Sequence, residues 1–291
     1  DGLLYLINAR RIDYTIADSN QIILIRRFYP KLNVAFDISP PRQLAWAFQK
    51  STDTSLYDEA TQFFNKITKN KVLEQLLERH YGHTRNIKYV GNCTFRLHFE
   101  SRLPQYQALF QEAAEKYTFD WRILAAISYQ ESHWNKDAVS PTGVKGLMML
   151  TKATAKQVGV KDRINAKESI FGGARYLKQR LKKIPKRIPE PDRTWFALAS
   201  YNIGFGHLED ARIITQKLGK NPDKWIDVKQ VLPLLTKKKW YSQTKHGYAR
   251  GKEPVLYVAN IRSYIDLLLW YTNNKEIEEI TAMPPITLKA H

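Results

Sequence analysis

The stretch Ile127-Ser128-Tyr129-Gln130-Glu131-Ser132-His133-Trp134 decides how the rest of the sequence is interpreted. Ile123, Ile127 and Glu131 lie four residues apart, so on a helix they share one face. The carboxyl group is then in line with buried aliphatic side chains, where desolvation raises its pKa. A raised pKa is what a general acid needs near neutral pH. The alternative is an ordinary glutamate at the wet end of a helix.

A loop punctuated by glycine follows this helix: Ser140-Pro141-Thr142-Gly143-Val144-Lys145-Gly146-Leu147-Met148-Met149. Gly143 and Gly146 permit backbone conformations that other residues resist, and Gly146 lets the chain pass close to a ligand. Met148 and Met149 offer a soft surface for a flat sugar ring, or alternatively fill the core. We expect the loop to close over Glu131.

A second polar cluster, Ser200-Tyr201-Asn202, ends an apolar helix and is followed by Gly204 and Gly206. Three hydrogen-bonding side chains in a row are suited to carbohydrate hydroxyls or amides. The alternative interpretation is an ordinary helix C-terminus.

Composition describes a folded protein with room for one large domain or two modest ones. The chain has 291 residues, of which 43% are hydrophobic and 12% aromatic. Its net charge of +18, most of it in residues 96–291, indicates an acidic partner, or simply a basic protein. No nucleic-acid fold signature accompanies the basic runs, so we do not expect nucleic acid as a partner.

Cysteine and histidine usage argues against a metal or cofactor site. Cys93 is the only cysteine, and the seven histidines show neither an HExxH motif nor paired ligand spacing. No run approaches the roughly 18 apolar residues of a transmembrane helix, and there is no signal peptide. Because the chain begins with Asp1 rather than Met, we expect a fragment or a processed product.

Residues 1–82 predict a mixed α/β segment. Alternating or apolar runs predict strands at Ile12–Ala17, Asn33–Phe36 and Gln43–Phe48. Helices are predicted over Ile22–Phe28, after a capping Asp-Ser-Asn, and over the amphipathic stretch Ser55–Tyr81, with a break near its middle.

The polar, glycine-containing segment His83–Cys93 predicts a boundary, and the chain beyond Ser101 reads as helical. We therefore divide the chain into residues 1–90, residues 96–272 and a tail at residues 273–291. The predicted helices are Leu103–Tyr117, Trp121–Trp134, Thr151–Val158, Asn165–Leu181, Asp192–Ile203, Gly206–Leu218, Pro222–Leu232 and Glu253–Tyr271. Lys237–Lys252 is predicted to be a loop.

The first segment resembles the closing part of a type 2 periplasmic solute-binding domain. The resemblance rests on IDYTIADSN at 12–20, RQLAWAFQKSTDTSL at 42–56 and LEQLLERHYG at 73–82. The segment is too short for both lobes of such a domain, so the resemblance implies that its ligand site, which would take muropeptides, is incomplete. The alternative is a small α/β cap with a packing role.

The second segment resembles the family 1 lytic murein transglycosylases, which have a goose-type-lysozyme-like helical fold. The ordered set Glu-Ser, Gly-Leu-Met and Tyr-Asn carries the resemblance, which covers about residues 103–271. The expected fold class is therefore α+β: a partial α/β solute-binding-like segment followed by an all-α lysozyme-like domain.

The resemblance implies a role for each matching position. Glu131 matches the single catalytic acid/base, and Tyr257 matches a late tyrosine that faces the active site. The residues expected to bind substrate are Ser132, Ser140, Gly146, Met148, Met149, Tyr201, Asn202 and Tyr257. The chain departs from the family pattern at Met149, where many members carry Gln, and at Ser200, which replaces Ala.

The implied reaction is non-hydrolytic cleavage of peptidoglycan between N-acetylmuramic acid and N-acetylglucosamine, with formation of a 1,6-anhydromuramoyl end. The alternative, a lysozyme-like hydrolase, would need a second carboxylate near Glu131. Asp137 is the nearest candidate in sequence, but its polar context past the helix end favours a surface residue. Another alternative is a non-catalytic, muropeptide-binding wall module. The family implies a periplasmic protein with peptidoglycan as partner, peripheral to the outer membrane.

Overall fold

A computed structural model describes residues 2–29, 31–42, 44–84 and 89–273, and within these ranges the regular elements are helices. They are α1 (Gly2–Asn8), α2 (Ser19–Ile25), α3 (Ser55–Lys69), α4 (Val72–Tyr81), α5 (Tyr89–Ser101), α6 (Gln107–Tyr117), α7 (Trp121–Ser132), α8 (Lys152–Val158), α9 (Ala166–Lys183), α10 (Asp192–Ile203), α11 (Phe205–Lys217), α12 (Trp225–Val231), α13 (Lys238–Tyr241) and α14 (Lys252–Asn273). Short 3₁₀ turns occupy Leu103–Gln105 and Leu232–Thr236.

The strands predicted in the first segment are not formed, so the prediction of α/β structure there was wrong for the described residues. Ile12–Ala17, Asn33–Phe36 and the described part of Gln43–Phe48 are irregular. Strand backbone is stable only when a neighbouring strand satisfies its N–H and C=O groups. The described residues provide no such partner, and Tyr14 and Phe36 are 85% and 77% exposed.

The helix prediction over Ser55–Tyr81 is confirmed, whereas the helix predicted over Ile22–Phe28 lies three residues earlier, as α2 over Ser19–Ile25. The stretch Ser55–Tyr81 forms α3 and α4, and the expected break lies at Asn70 and Lys71. Lys71 has a φ of +57°, a left-handed conformation that ends the run of helical hydrogen bonds.

Sequence reasoning missed α5, which begins inside the polar segment taken as a boundary. Phe95 of α5 is fully buried and stacks on Tyr264 of α14, with 5.4 Å between ring centroids. Phe95 joins α5 to the main core, a contact with residues far along the chain that local periodicity does not reveal.

Helix α7 lies at the centre of the bundle, against α6, α9 and α14. Asp120 caps its N-terminus, because the side-chain oxygen accepts a hydrogen bond from the Arg122 N–H at 2.8 Å. The four consecutive residues from Leu124 to Ile127 are fully buried, as expected for a helix that is surrounded by other helices. The helix ends at Ser132, two residues before the prediction, because His133 and Trp134 both have positive φ.

The outer face of α14 holds the N-terminal segment. The Arg262 guanidinium donates to the Glu78 carboxylate at 2.9 Å and to the Glu78 carbonyl oxygen at 2.7 Å. Asp266 pairs with Arg27 and with His83, at 2.5 and 2.7 Å. These contacts place one end of the chain against the helix whose other face lines the site described below.

Within the described residues, no helix is both long and apolar enough to cross a membrane. Most of the predicted tail, residues 274–291, lies outside the described residues.

Candidate active site

Glu131 lies in the last turn of α7 and is half-buried. Tyr257 of α14 donates a hydrogen bond from its hydroxyl to Glu131 Oε1 at 2.7 Å. Burial raises the pKa of Glu131 from 4.5 to about 7, although the Tyr257 hydrogen bond lowers it. The desolvation expected from helix spacing is therefore present, and the group exchanges its proton near neutral pH.

Two tyrosines stand beside this pair. Tyr201 of α10 stacks near Tyr257 with ring centroids 6.4 Å apart, and its hydroxyl donates to the Met148 carbonyl oxygen at 3.3 Å. Burial, followed by the nearby Glu131 carboxylate, raises the pKa of both phenols well above the usual value of 10. Both tyrosines therefore remain neutral hydrogen-bond donors throughout the working pH range.

The loop after α7 is folded tightly by its glycine. Gly146 has a φ of +83°, and a Cβ at this position would lie 1.8 Å from the carbonyl oxygen of Arg163. The Arg163 side chain in turn donates to the carbonyl oxygens of Gly143 and Leu150, both at 3.0 Å. Gly146 therefore shapes the loop through close backbone approach, and Arg163 fastens both of its ends.

Ser132 is a support of the loop in this structure. Its hydroxyl donates to the Leu147 carbonyl oxygen at 2.9 Å, and the Ser128 hydroxyl donates to the same oxygen at 3.0 Å. Both serines are on α7 and are buried. The two hydroxyls therefore attach the loop to the helix that carries Glu131.

The two methionines have different environments. The Met148 side chain is fully buried against Gly173 of α9, while its backbone N–H donates to Ser169 Oγ at 3.1 Å. Met149 is half-buried with a φ of +44°, an unusual conformation for a non-glycine residue. Met148 thus acts as a core residue under the loop, and Met149 is the more accessible of the two.

Ser140 and Asn202 lie at the margins of this cluster. The Ser140 hydroxyl accepts from the Val144 N–H at 3.1 Å and contacts Thr142 Oγ1 at 3.0 Å, so it builds the loop turn. Asn202 is exposed at the end of α10, next in sequence to Tyr201. Its side chain is accessible to a ligand.

Glu131 is isolated from other carboxylates in the described part of the chain. Its pKa is shifted by burial and by the Tyr257 hydrogen bond, and no acidic side chain contributes to the shift. Asp137, the candidate second carboxylate, is exposed and pairs with Lys136 at 3.3 Å. The same residues contain no group of three His, Cys, Asp or Glu side chains that could hold a metal.

Sequence reasoning missed Tyr176 as a member of the cluster. Tyr176 of α9 meets the Tyr201 ring edge-to-face at 5.1 Å, and its proximity contributes to the raised pKa values of Tyr201 and Tyr257. It lies three residues after Gly173, on the same helical face. That spacing was the available sequence signal for Tyr176, but the contact of Gly173 with Met148, which places this face of α9 beside the loop, is visible only in the folded structure.

Comparison with known proteins agrees with this arrangement. Residues 108–224 match the family described as Transglycosylase SLT domain. This range includes Glu131, the glycine loop and Tyr201, and it ends before Tyr257.

Similarity to curated relatives extends over most of the chain. The chain is 56% identical over 268 residues to membrane-bound lytic murein transglycosylase F of Saccharophagus degradans, and the match covers 92% of this chain and 54% of that protein. The relative of the same name in Marinobacter nauticus is 52% identical over 271 residues, covering 93% and 54%. The one in Idiomarina loihiensis is 52% identical over 266 residues, covering 91% and 58%.

The chain therefore spans about half the length of the curated relatives it matches. Among solved structures, lytic transglycosylase Slt from Pseudomonas aeruginosa is 21% identical with a TM-score of 0.42, covering 74% of this chain and 35% of that one. Similarity at that level carries no inference about the fold.

Proposed function

We propose that this relative of the lytic murein transglycosylase F proteins, whose residues 108–224 match the SLT domain, cleaves peptidoglycan as a lytic transglycosylase. The bond broken would be the β-1,4 linkage between N-acetylmuramic acid and N-acetylglucosamine. The observation that carries the proposal is Glu131: a desolvated carboxyl group with a pKa of about 7, held by Tyr257 and without a second carboxylate beside it in the described residues.

The first step uses Glu131 as an acid. Tyr257 occupies Oε1, and Oε2 makes no hydrogen bond with the described residues, so Oε2 is placed to protonate the glycosidic oxygen. The bond to the departing N-acetylglucosamine then breaks, and the N-acetyl group of the muramoyl residue stabilises the positive charge that develops at its C1. The Tyr257 hydroxyl stabilises the carboxylate that Glu131 has become.

The second step uses the same residue as a base. The Glu131 carboxylate takes the proton of the muramoyl C6 hydroxyl, whose oxygen bonds to C1 and closes the 1,6-anhydro ring. Glu131 ends the cycle protonated, and no water is consumed. A pKa near 7 suits both steps, because a group that is partly protonated at working pH can give and regain a proton.

The remaining residues are proposed to position the strand. Asn202 and Met149, both accessible, would contact the sugars together with the hydroxyls of Tyr201 and Tyr257. Ser132, Ser140, Gly146 and Met148 would act mainly by fixing the loop that covers Glu131. No cofactor or metal enters the proposed reaction.

We test the reaction class by digesting purified sacculi in water enriched in heavy oxygen. A transglycosylase releases muropeptides that are lighter by one water and carry no label, whereas a hydrolase releases reducing ends that contain it. The Glu131→Gln variant should release neither. Labelled reducing ends would establish the hydrolase alternative, and muropeptide binding without release would establish the wall-binding module.

The cell-envelope setting is also a proposal. The relatives' names describe membrane-bound murein transglycosylases, which supports a location in the cell envelope, and we propose a periplasmic position at the outer membrane. Residues 1–90 would form a segment that packs against α14 and takes muropeptides, before the catalytic residues 96–272 and the tail at 273–291. Calorimetric titration of Glu131→Gln with purified muropeptides, repeated with excess soluble glycan strands that occupy the Glu131 site, tests whether this segment binds them.

A further inference from the structure

Arg180 of α9 is a buried cation without an anion in the described part of the chain. The residue is only 8% exposed, its Nε atom is buried without a hydrogen bond, and none of the described carboxylates forms an ion pair with it. The guanidinium stacks 4.5 Å over the ring of Tyr176, which offsets part of its desolvation. Arginine remains charged in proteins, so a buried guanidinium still calls for an anionic partner.

The position of Arg180 connects it to the Glu131 cluster. Residues 173, 176, 180 and 183 share one face of α9. Gly173 lies under the loop against Met148, and Tyr176 contacts Tyr201 at 5.1 Å. One turn further on is Arg180, and the exposed Lys183 then lies over the ring of Phe205, the first residue of α11, at 5.4 Å.

A row of contacts therefore leads from the Glu131 carboxyl group to Arg180. Tyr257, Tyr201 and Tyr176 form its aromatic part, and Arg180 ends it. Lys183 lies one turn further along the same face of α9, over Phe205. Arg180 is not among the groups that shift the pKa of Glu131. Arg180 therefore meets the cluster through Tyr176 and is not expected to act on the Glu131 proton.

We propose that Arg180 and Lys183 form an anion subsite beside the Glu131 cluster, which binds a carboxylate of the peptide attached to the muramoyl residue. The inference rests on the proposed function, because peptidoglycan is the substrate that supplies this group. A guanidinium matches a carboxylate with two parallel hydrogen bonds, and Lys183 adds a second, more mobile charge. The subsite would select strands that retain their peptides.

The test compares two substrates that differ only in the peptide. One is a preparation of soluble glycan strands with stem peptides, and the other is the same preparation after an amidase has removed them, which leaves only the lactyl carboxylate on the sugar. For Arg180→Gln we expect KM to rise about tenfold on the peptide-bearing strands, with kcat unchanged. On the peptide-free strands KM should change less than twofold.

Three further variants separate binding from structure. Arg180→Lys keeps a charge and should recover part of the loss on peptide-bearing strands. Lys183→Gln, at an exposed position that tolerates substitution, should raise KM about threefold on the same substrate. Lys182→Gln changes a neighbouring exposed lysine off this face of α9 and should leave both substrates unaffected.

The proposal is overturned if Arg180→Gln weakens both substrates equally, because the residue would then only support the fold or contact the sugar. It is also overturned if Lys183→Gln has no effect, or if Arg180→Gln shifts the pH profile of kcat/KM, because Arg180 would then act through Glu131. A different failure belongs to the proposed function: a wild-type chain that forms no anhydro product on either substrate.

Discussion

Replacing Tyr257 by Phe removes one hydroxyl from the site and leaves the ring in place. That hydroxyl is the hydrogen-bond donor to Glu131 Oε1, at 2.7 Å, and it opposes the effect of burial on the pKa of Glu131. Without it, burial acts alone and the protonated form of Glu131 becomes still more favoured. The pKa of Glu131 should therefore rise above its wild-type value of about 7.

The size of the change follows from the strength of the hydrogen bond. A hydrogen bond to a charged group contributes about 1.5 to 3 kcal/mol, and each pKa unit corresponds to about 1.4 kcal/mol. Tyr257→Phe should therefore raise the pKa by about one to two units. Because the first step needs protonated Glu131, activity falls as pH rises through this pKa, and the alkaline limb should move upward by the same amount.

The assay is the rate of soluble muropeptide release from sacculi, measured between pH 5 and pH 10 and fitted as kcat/KM on soluble strands. At low pH, where Glu131 is protonated in both proteins, the variant should be slower, because the Glu131 carboxylate left after proton transfer no longer accepts a hydrogen bond from Tyr257. Tyr248→Phe, at a position that is 56% exposed, is the matched control and should keep the wild-type profile. An alkaline limb that stays in place or moves downward in Tyr257→Phe would refute the reasoning.

Two changes probe stability. Burial raises the pKa of Glu131 from 4.5 to about 7, so the folded state holds this proton more tightly than the unfolded state. As pH rises between those values, the unfolding free energy of the wild type should fall by about 3 kcal/mol relative to that of Glu131→Gln. Urea midpoints that change equally in the two proteins across that range would contradict this. Gly146→Ala sets a Cβ 1.8 Å from the Arg163 carbonyl oxygen and should cost about 3 kcal/mol in urea unfolding. Gly143→Ala, with a φ of +77° and nothing within 4 Å, should cost only about 1 kcal/mol, and equal costs would show that the close approach is unimportant.

Local signals in the sequence located most of the helical part correctly. Helix α10 begins and ends at the residues predicted, and the caps at Asp120 and Asn165 both accept backbone hydrogen bonds. Capping and periodicity depend on neighbours within one or two turns, so a single sequence contains them.

The failures share a physical cause, which is dependence on distant residues. Alternation in Ile12–Ala17 indicated a strand, but a strand requires a partner that the described residues lack. Helix α5 was missed because Phe95 is buried by contact with Tyr264, which lies far along the chain. The contact between Tyr176 and Tyr201 likewise depends on how α9 and α10 pack.

The same distinction explains how far the candidate site could be predicted. Spacing made Glu131 a plausible buried acid, because Ile123, Ile127 and Glu131 belong to one helix. Its partner Tyr257 lies 126 residues away, so only a family resemblance could suggest it. The roles of Ser132 and Met148 as supports of the loop required the folded structure, since both were expected to bind substrate.

A single carboxylate is sufficient for the proposed chemistry because its environment keeps both protonation states accessible. Burial alone would hold Glu131 neutral, which suits the acid step but makes the following carboxylate costly. The Tyr257 hydrogen bond lowers that cost without adding a charge, since its own phenol stays protonated. An ionised second carboxylate near Glu131 would raise the pKa of Glu131 further and would activate water, favouring hydrolysis. The isolation of Glu131 from other carboxylates in the described residues is therefore a property that the ring-closing reaction requires.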